Sequence, residues 1–254
     1  MLKFIKSVII LTVAINIFSQ IGFNISPPKY EFTVRPEEIK NFTINVQNTT
    51  DSILHIKIYN VDWALDIENN VKYFTAGKLK NSCSNWIYVN PQEFNIYPNS
   101  SQDIRFTLSV PKNVFGDYWS MVFFESTPFN PTGSSMLLVS GRVGCTIYST
   151  IAGTTVKNGD IVGLDFDKKD YSVKAIFENS GNVHLRIKGI MKILKDEKVV
   201  FQSEIPEKVS LPETKTTLSF PVETQLLKGK YTVKVNIDYS GNEILEGEKI
   251  ISID

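Results

Sequence analysis

The chain has 254 residues, too many for one ordinary β-sandwich and enough for two. Its 27 acidic and 27 basic side chains balance, which excludes a general attraction to nucleic acid or to an anionic membrane. Phe, Tyr, Ile and Val are plentiful while alanine is scarce, so strands are favoured over helices.

Lys3 and Lys6 precede an apolar run from Ser7 to Phe18 that closes in Ser19-Gln20. A basic start and a 12-residue apolar stretch read as a secretory signal over residues 1–19, too short to span a bilayer comfortably. The alternative is an uncleaved anchor or a buried strand; the anchor would be the chain's one attachment to a membrane. No cysteine follows the run, which argues against a lipoprotein. The expected address is the periplasm or the cell surface.

Phe23 to Phe32 reads as an edge strand broken by Pro27 and Pro28, since sheets accept proline only at edges or bulges. Phe42, Ile44 and Val46 alternate with polar residues, Asn48-Thr49-Thr50-Asp51 turns, and Ile53 to Trp63 returns as a hairpin partner. Trp86 to Val89 and Phe94 to Ile96 are short strands on either side of Asn90-Pro91. Met136 to Ile147 is the longest strand candidate, apolar at Leu137, Val139, Val143, Cys145 and Ile147 and interrupted at Gly141. The polar, turn-rich stretch Ser149 to Asp160 reads as a linker between modules at 20–150 and 155–254.

The two halves share landmarks in one order. Gly116-Asp117-Tyr118 opens one strand and Gly229-Lys230-Tyr231 another. Pro98 is followed six and eight residues later by Ile104 and Phe106, and Pro212 at the same spacings by Leu218 and Phe220. Asn48, Leu54, Ile56 and Lys57 match Asn179, Leu185, Ile187 and Lys188 at a constant offset. Period-two patterning alone does not fix the spacing of turns, so a duplicated unit is the simplest account. A turn, a strand, a short loop and Gly-x-Tyr entering the next strand is how an immunoglobulin-like sandwich builds strands E and F. Tyr118 and Tyr231 are therefore expected to form tyrosine corners. The fold class is all-β: two tandem immunoglobulin-like β-sandwich domains behind a signal segment.

Little in the sequence suggests chemistry, and no cofactor is expected. His55 and His184 each sit just past a turn and read as surface residues without a positioned partner. Asp165, Asp167 and Asp170 lack the glycine and terminal glutamate of a calcium loop and read as a solvated strand end. Ser120 lies in no nucleophile elbow and no glycine-rich phosphate loop occurs, so an enzyme is not expected. Two cysteines about sixty residues apart, without a histidine cluster, make no metal site. In an oxidising compartment Cys83 and Cys145 could form a disulfide; equally, Cys145 could pack as a free thiol among apolar neighbours. Trp63, Trp86 and Trp119 read as core residues rather than a sugar platform.

Ile25-Ser26-Pro27, Val61-Asp62-Trp63, Trp86 to Pro91, Phe94-x-Ile96-x-Pro98, Val110-Pro111 and Gly116 to Met121 follow one another in an order that resembles the first domain of the PapD-like periplasmic pilus chaperones. Residues 160 to 254 look like a generic extracellular immunoglobulin-like module. The resemblance implies two sandwiches set at an angle, export, no catalysis, and a partner that is a pilin-like subunit or an usher. It further implies that alternating apolar residues of strand G, here Leu137, Val139, Val143 and Ile147, complete a subunit's sandwich by strand addition. Members of that family hold the subunit's terminal carboxylate with an arginine and a lysine. Those positions fall near Pro27 and Cys145 here, with Lys29 and Arg142 close by. The competing reading is a structural or adhesive envelope module with no client. A carbohydrate-binding module is a third.

Overall fold

A computed structural model describes residues 22–128, 140–241 and 243–253; the expected signal at 1–19 lies outside them, as do Leu137 and Val139. Apart from one 3-10 turn at Ser84–Trp86, every regular element described is a strand.

The first half holds β1 (Phe23–Ser26), β2 (Lys29–Val34), β3 (Ile39–Asn48), β4 (Leu54–Leu65), β5 (Val71–Thr75), β6 (Ile87–Asn90), β7 (Glu93–Ile96), β8 (Ser101–Ser109), β9 (Asp117–Pro128) and β10 (Gly141–Ile151). They form two facing sheets, ordered β1-β3-β8-β6 and β2-β10-β9-β4-β5, with β7 added to β4. Pro27 and Pro28 sit where the chain leaves the edge of one sheet for the edge of the other, because neither can donate to a ladder. Alternate residues of β3 and β8 point inward. Ile44, Val46, Ile104 and Phe106 meet Ile56, Phe124 and Ile147 of the opposite sheet in one core.

The second half repeats the plan with β11 (Gly159–Asp167), β12 (Ser172–Asn179), β13 (Leu185–Lys195), β14 (Lys198–Ser210), β15 (Thr214–Pro221), β16 (Gly229–Asp238) and β17 (Ile244–Ile253). The sheets are β11-β12-β15 and β14-β13-β16-β17, closed on a core that includes Val173, Phe177, Ile187, Phe220 and Val235. β10 runs on to Ile151 and β11 opens at Gly159, so the irregular connection is shorter than the polar composition of Ser149 to Asp160 suggests. Ser149 is a buried strand residue.

The expected hairpins after Asn48 and Asn179 are not hairpins. β3 and β4 lie in opposite sheets, as do β12 and β13, and each turn is an arch across the sandwich. One buried asparagine closes each arch. Asn48 Nδ2 donates to the carbonyls of Ser52 (2.8 Å), Ile96 (3.1 Å) and Tyr97 (3.1 Å), while its Oδ1 accepts from Thr50 N (2.9 Å). Asn179 Nδ2 donates to the carbonyls of Val183 (2.9 Å) and Ser210 (3.1 Å), and its Oδ1 accepts from Gly181 N (3.0 Å). In both halves the amide reaches the carbonyl four residues on and the amide N–H two residues on, so the duplication extends to side-chain bonding.

Candidate partner-binding edge

β10 pairs with β9 along Gly141 to Thr150, but on its other side β2 pairs only from Thr146 onward, in parallel. Residues 141–145 therefore present one backbone edge with no strand partner among the described residues. Such an edge is a template for an added strand.

The side chains here have alternate fates. Val143 is half-buried against the core, and Cys145 and Ile147 lie wholly inside it. Ile147 is 0% exposed, so it fills its own sandwich and is withdrawn from the expected partner-facing set. Arg142 points out of the sheet, its guanidinium 4.5 Å from the centre of the Phe123 ring. Lys29, directly across from Thr146, is exposed and pairs with Glu31 at 2.8 Å.

The cysteines form no disulfide, and both are free, buried thiols. Cys83 Sγ lies 3.2 Å from Ser120 Oγ, and Cys145 Sγ donates to the carbonyl of Pro27 (3.4 Å), each saturated by local partners. Burial pushes each thiol up to about 12. Tyr231 is buried and its hydroxyl donates to the carbonyl of Leu227 (2.7 Å). Tyr118 is not a tyrosine corner: its ring lies against Trp86, centroids 4.4 Å apart, and its hydroxyl has no hydrogen-bond partner among the described residues. The 3-10 turn brings Trp86 into the space in front of it.

Below the free edge the outer face of the same sheet turns apolar and meets the second sandwich. Trp63, Trp119 and Tyr148 pack with Leu211, flanked by Leu65, Met121 and Val209. Trp119 Nε1 donates to the carbonyl of Trp63 (2.8 Å). Beside this seam the buried Asp117 carboxylate accepts from His184 N (2.7 Å) and pairs with His184 Nδ1, and the imidazole stacks on Tyr148 at 4.2 Å. His184 is thus not the surface residue its position after a turn suggests. Arg186 bridges Glu31 and Glu207. Burial pushes the Glu31 carboxyl up, but Lys29 and Arg186 outweigh it and hold the group below its ordinary value. Gly116 has φ +73°, and a Cβ there would stand 2.5 Å from the carbonyl oxygen of Asn182, so the close approach of the two halves requires glycine. The one sequence signal for this seam was Asp117 in the first Gly-x-Tyr, where the second has Lys230. His184, Arg186 and Leu211 carried none.

The other candidates resolve simply. Trp63 and Trp119 are covered by the second sandwich and Trp86 by its own core, so they make no exposed platform. Lys174 pairs with Asp167 (2.7 Å) and Asp170 (2.8 Å), and Lys249 with Asp165 (3.2 Å), which neutralises the acidic strand end.

No protein-family model matches the chain, and no curated protein is significantly similar to it. Solved structures are similar in fold. A chain from a chaperone–tip adhesin complex of CFA/I fimbriae biogenesis shares 17% identity with a TM-score of 0.53, covering 91% of this chain and 99% of that one. The class 5 fimbriae chaperone CfaA shares 17% identity with a TM-score of 0.52, covering 90% and 99%. With nearly the full length of each chain aligned and both halves built as sandwiches, this chain has the PapD-like chaperone fold of two tandem immunoglobulin-like domains.

Proposed function

We propose that this protein, divided into modules at 20–150 and 155–254, is an exported, non-enzymatic, chaperone-like protein of the periplasm or cell surface. It captures a surface-appendage subunit by pairing a strand with β10. The observation that carries this reading is the backbone edge at 141–145, which has no strand partner among the described residues and lies beside the apolar outer face of a sheet whose far side is packed on the core. The fold shared with fimbrial chaperones supports it. Leu137 and Val139, with Val143, supply the apolar side chains that enter the subunit, and Lys29 and Arg142 are the nearest cations to its end.

The test is to purify the protein from its native envelope, identify the bound subunit, and follow amide exchange with and without it. Amides at 141–145 slow on binding, and Leu137→Asp with Val139→Asp abolishes capture while secretion continues. Protection confined to other strands, or unchanged recovery of the subunit by the double variant, rejects the reading.

One observation favours the alternative of an envelope module without a client. Pro27 and Cys145 occupy the neighbourhood where the resembled family places its carboxylate-holding cations, and neither is a cation. A gene neighbourhood without usher or pilin-like sequences would favour that module.

A further inference from the structure

The open edge of β10 also holds the chemistry that sorts what enters it, an inference that rests on strand capture there. Thr146 N donates to the Pro28 carbonyl (3.1 Å), so at Thr146 the backbone groups face β2. That facing alternates along a strand. The N–H and C=O of Gly144 and Arg142 therefore point to the same side, where no strand partner stands among the described residues. Pro27 and Pro28, which lead into β2, have no N–H to offer them. An incoming strand thus bonds to Arg142 and Gly144. Its two side chains beside them lie on the outer face of the sheet, one residue apart from each other in sequence.

The outer face is selective at both positions. Arg142 is exposed, its guanidinium 4.5 Å from the Phe123 ring centre and 5.8 Å from that of Tyr73. Its cross-strand neighbour Glu125 accepts from the Tyr59 hydroxyl (2.7 Å), and Arg142 makes no ion pair among the described residues. A guanidinium has donors enough for two carboxylates, as Arg186 shows in bridging Glu31 and Glu207. Gly144 has no side chain of its own. An added Cβ would stand 2.5 Å from Met121 Sδ and 3.0 Å from Phe123 Cε1, so a thioether and a ring edge lie over it. Such a bed takes an aromatic ring better than a polar group. Between the two, Val143 is half-buried against the core, so the residue beside it faces inward and is apolar. We propose that the strand captured by β10 carries an acidic side chain beside Arg142 and a large aromatic one beside Gly144, with an apolar residue between them. The carboxylate is a side chain within the strand, not a chain end.

Short peptides with both ends blocked test this on the full chain, because blocking removes any reading of a terminus. The probes hold Glu-Val-Phe, Gln-Val-Phe, Glu-Val-Ala or Lys-Val-Phe between flanking threonines, each in both chain orders for parallel and antiparallel entry. Calorimetry gives their affinities and amide exchange locates them. The Glu-Val-Phe probe slows the amides of Arg142 and Gly144, and the Gln and Ala probes each bind about tenfold more weakly. Arg142→Glu turns the preference over to Lys-Val-Phe, which a structural role for Arg142 would not do. The proposal is overturned if no blocked peptide binds, if Gln-Val-Phe binds as well as Glu-Val-Phe, or if the preference for glutamate survives Arg142→Glu. A native subunit that slows the amides at 141–145 with a strand lacking this pattern sinks the proposal and leaves capture by β10 standing. A subunit that leaves those amides unchanged sinks both.

Discussion

Asp62 shows how one carboxylate organises a loop. It is wholly buried at the end of a β4 ladder and collects Leu79 N (2.8 Å), Gly77 N (3.2 Å), Ser82 Oγ (2.5 Å) and Ser84 Oγ (2.6 Å), tying residues 77–84 to the sheet. Burial pushes its carboxyl up, but these donors outweigh burial and hold it below its ordinary value. Because the folded-state value is the lower one, the stabilisation is present above the ordinary carboxylate range and is lost as pH falls through the folded value. Asp62→Ala, which strands four donors, should cost about 1–3 kcal/mol at neutral pH in urea unfolding. The gap to the wild type should shrink as the pH drops below about 4. Asn48→Ala and Asn179→Ala should each cost about 1–3 kcal/mol, because each leaves buried carbonyls without a donor. Cys83 and Cys145, with values about 12, should resist a thiol reagent in the native protein and react in denaturant. None of these bonding roles was legible beforehand, except that Asn48 and Asn179 stood at matched turns. Three of the five carbonyls these amides reach, those of Ile96, Tyr97 and Ser210, lie 48, 49 and 31 residues away, which no local pattern reveals.

Strands were more legible than their partners. Alternation in β3, β8 and β12 marks one buried face, and that periodicity is a local property of the chain. Whether two consecutive strands pair or face each other across a core is not local. Hence the arches after Asn48 and Asn179 read as hairpins until the sheets were assembled. The same reason explains Ile147: its parity on β10 was right, but the sheet it faces belongs to its own sandwich. Across β9 and β10, Gly144 lies where an added Cβ would stand 2.5 Å from Met121 Sδ. Gly144→Val should therefore displace Met121 and disturb the strand beside the free edge, lowering thermal stability and weakening subunit capture together. Arg142→Ala, on an exposed side chain, should leave stability within about 0.5 kcal/mol. The contrast between these two variants separates an effect on the edge from an effect on the fold.

At the scale of the whole molecule the duplication was plain in the sequence, whereas the surface joining the copies was not, because its residues come from six strands and two connections. The seam is small and mixed: an aromatic cluster around Leu211, the Asp117–His184 pair and the Arg186 bridge. Leu211→Asp should part the sandwiches without unfolding either, seen as a larger radius of gyration in solution scattering with the circular dichroism of the strands unchanged. Its aromatic make-up also gives the protein a built-in optical gauge. Two of the three tryptophans, Trp63 and Trp119, are shielded by the neighbouring sandwich, and the third, Trp86, by its own interior. A movement that swings the halves apart would wet the first pair and leave the third dry, so emission would shift to the red in a first step, with a second step only when the leading sandwich itself melts.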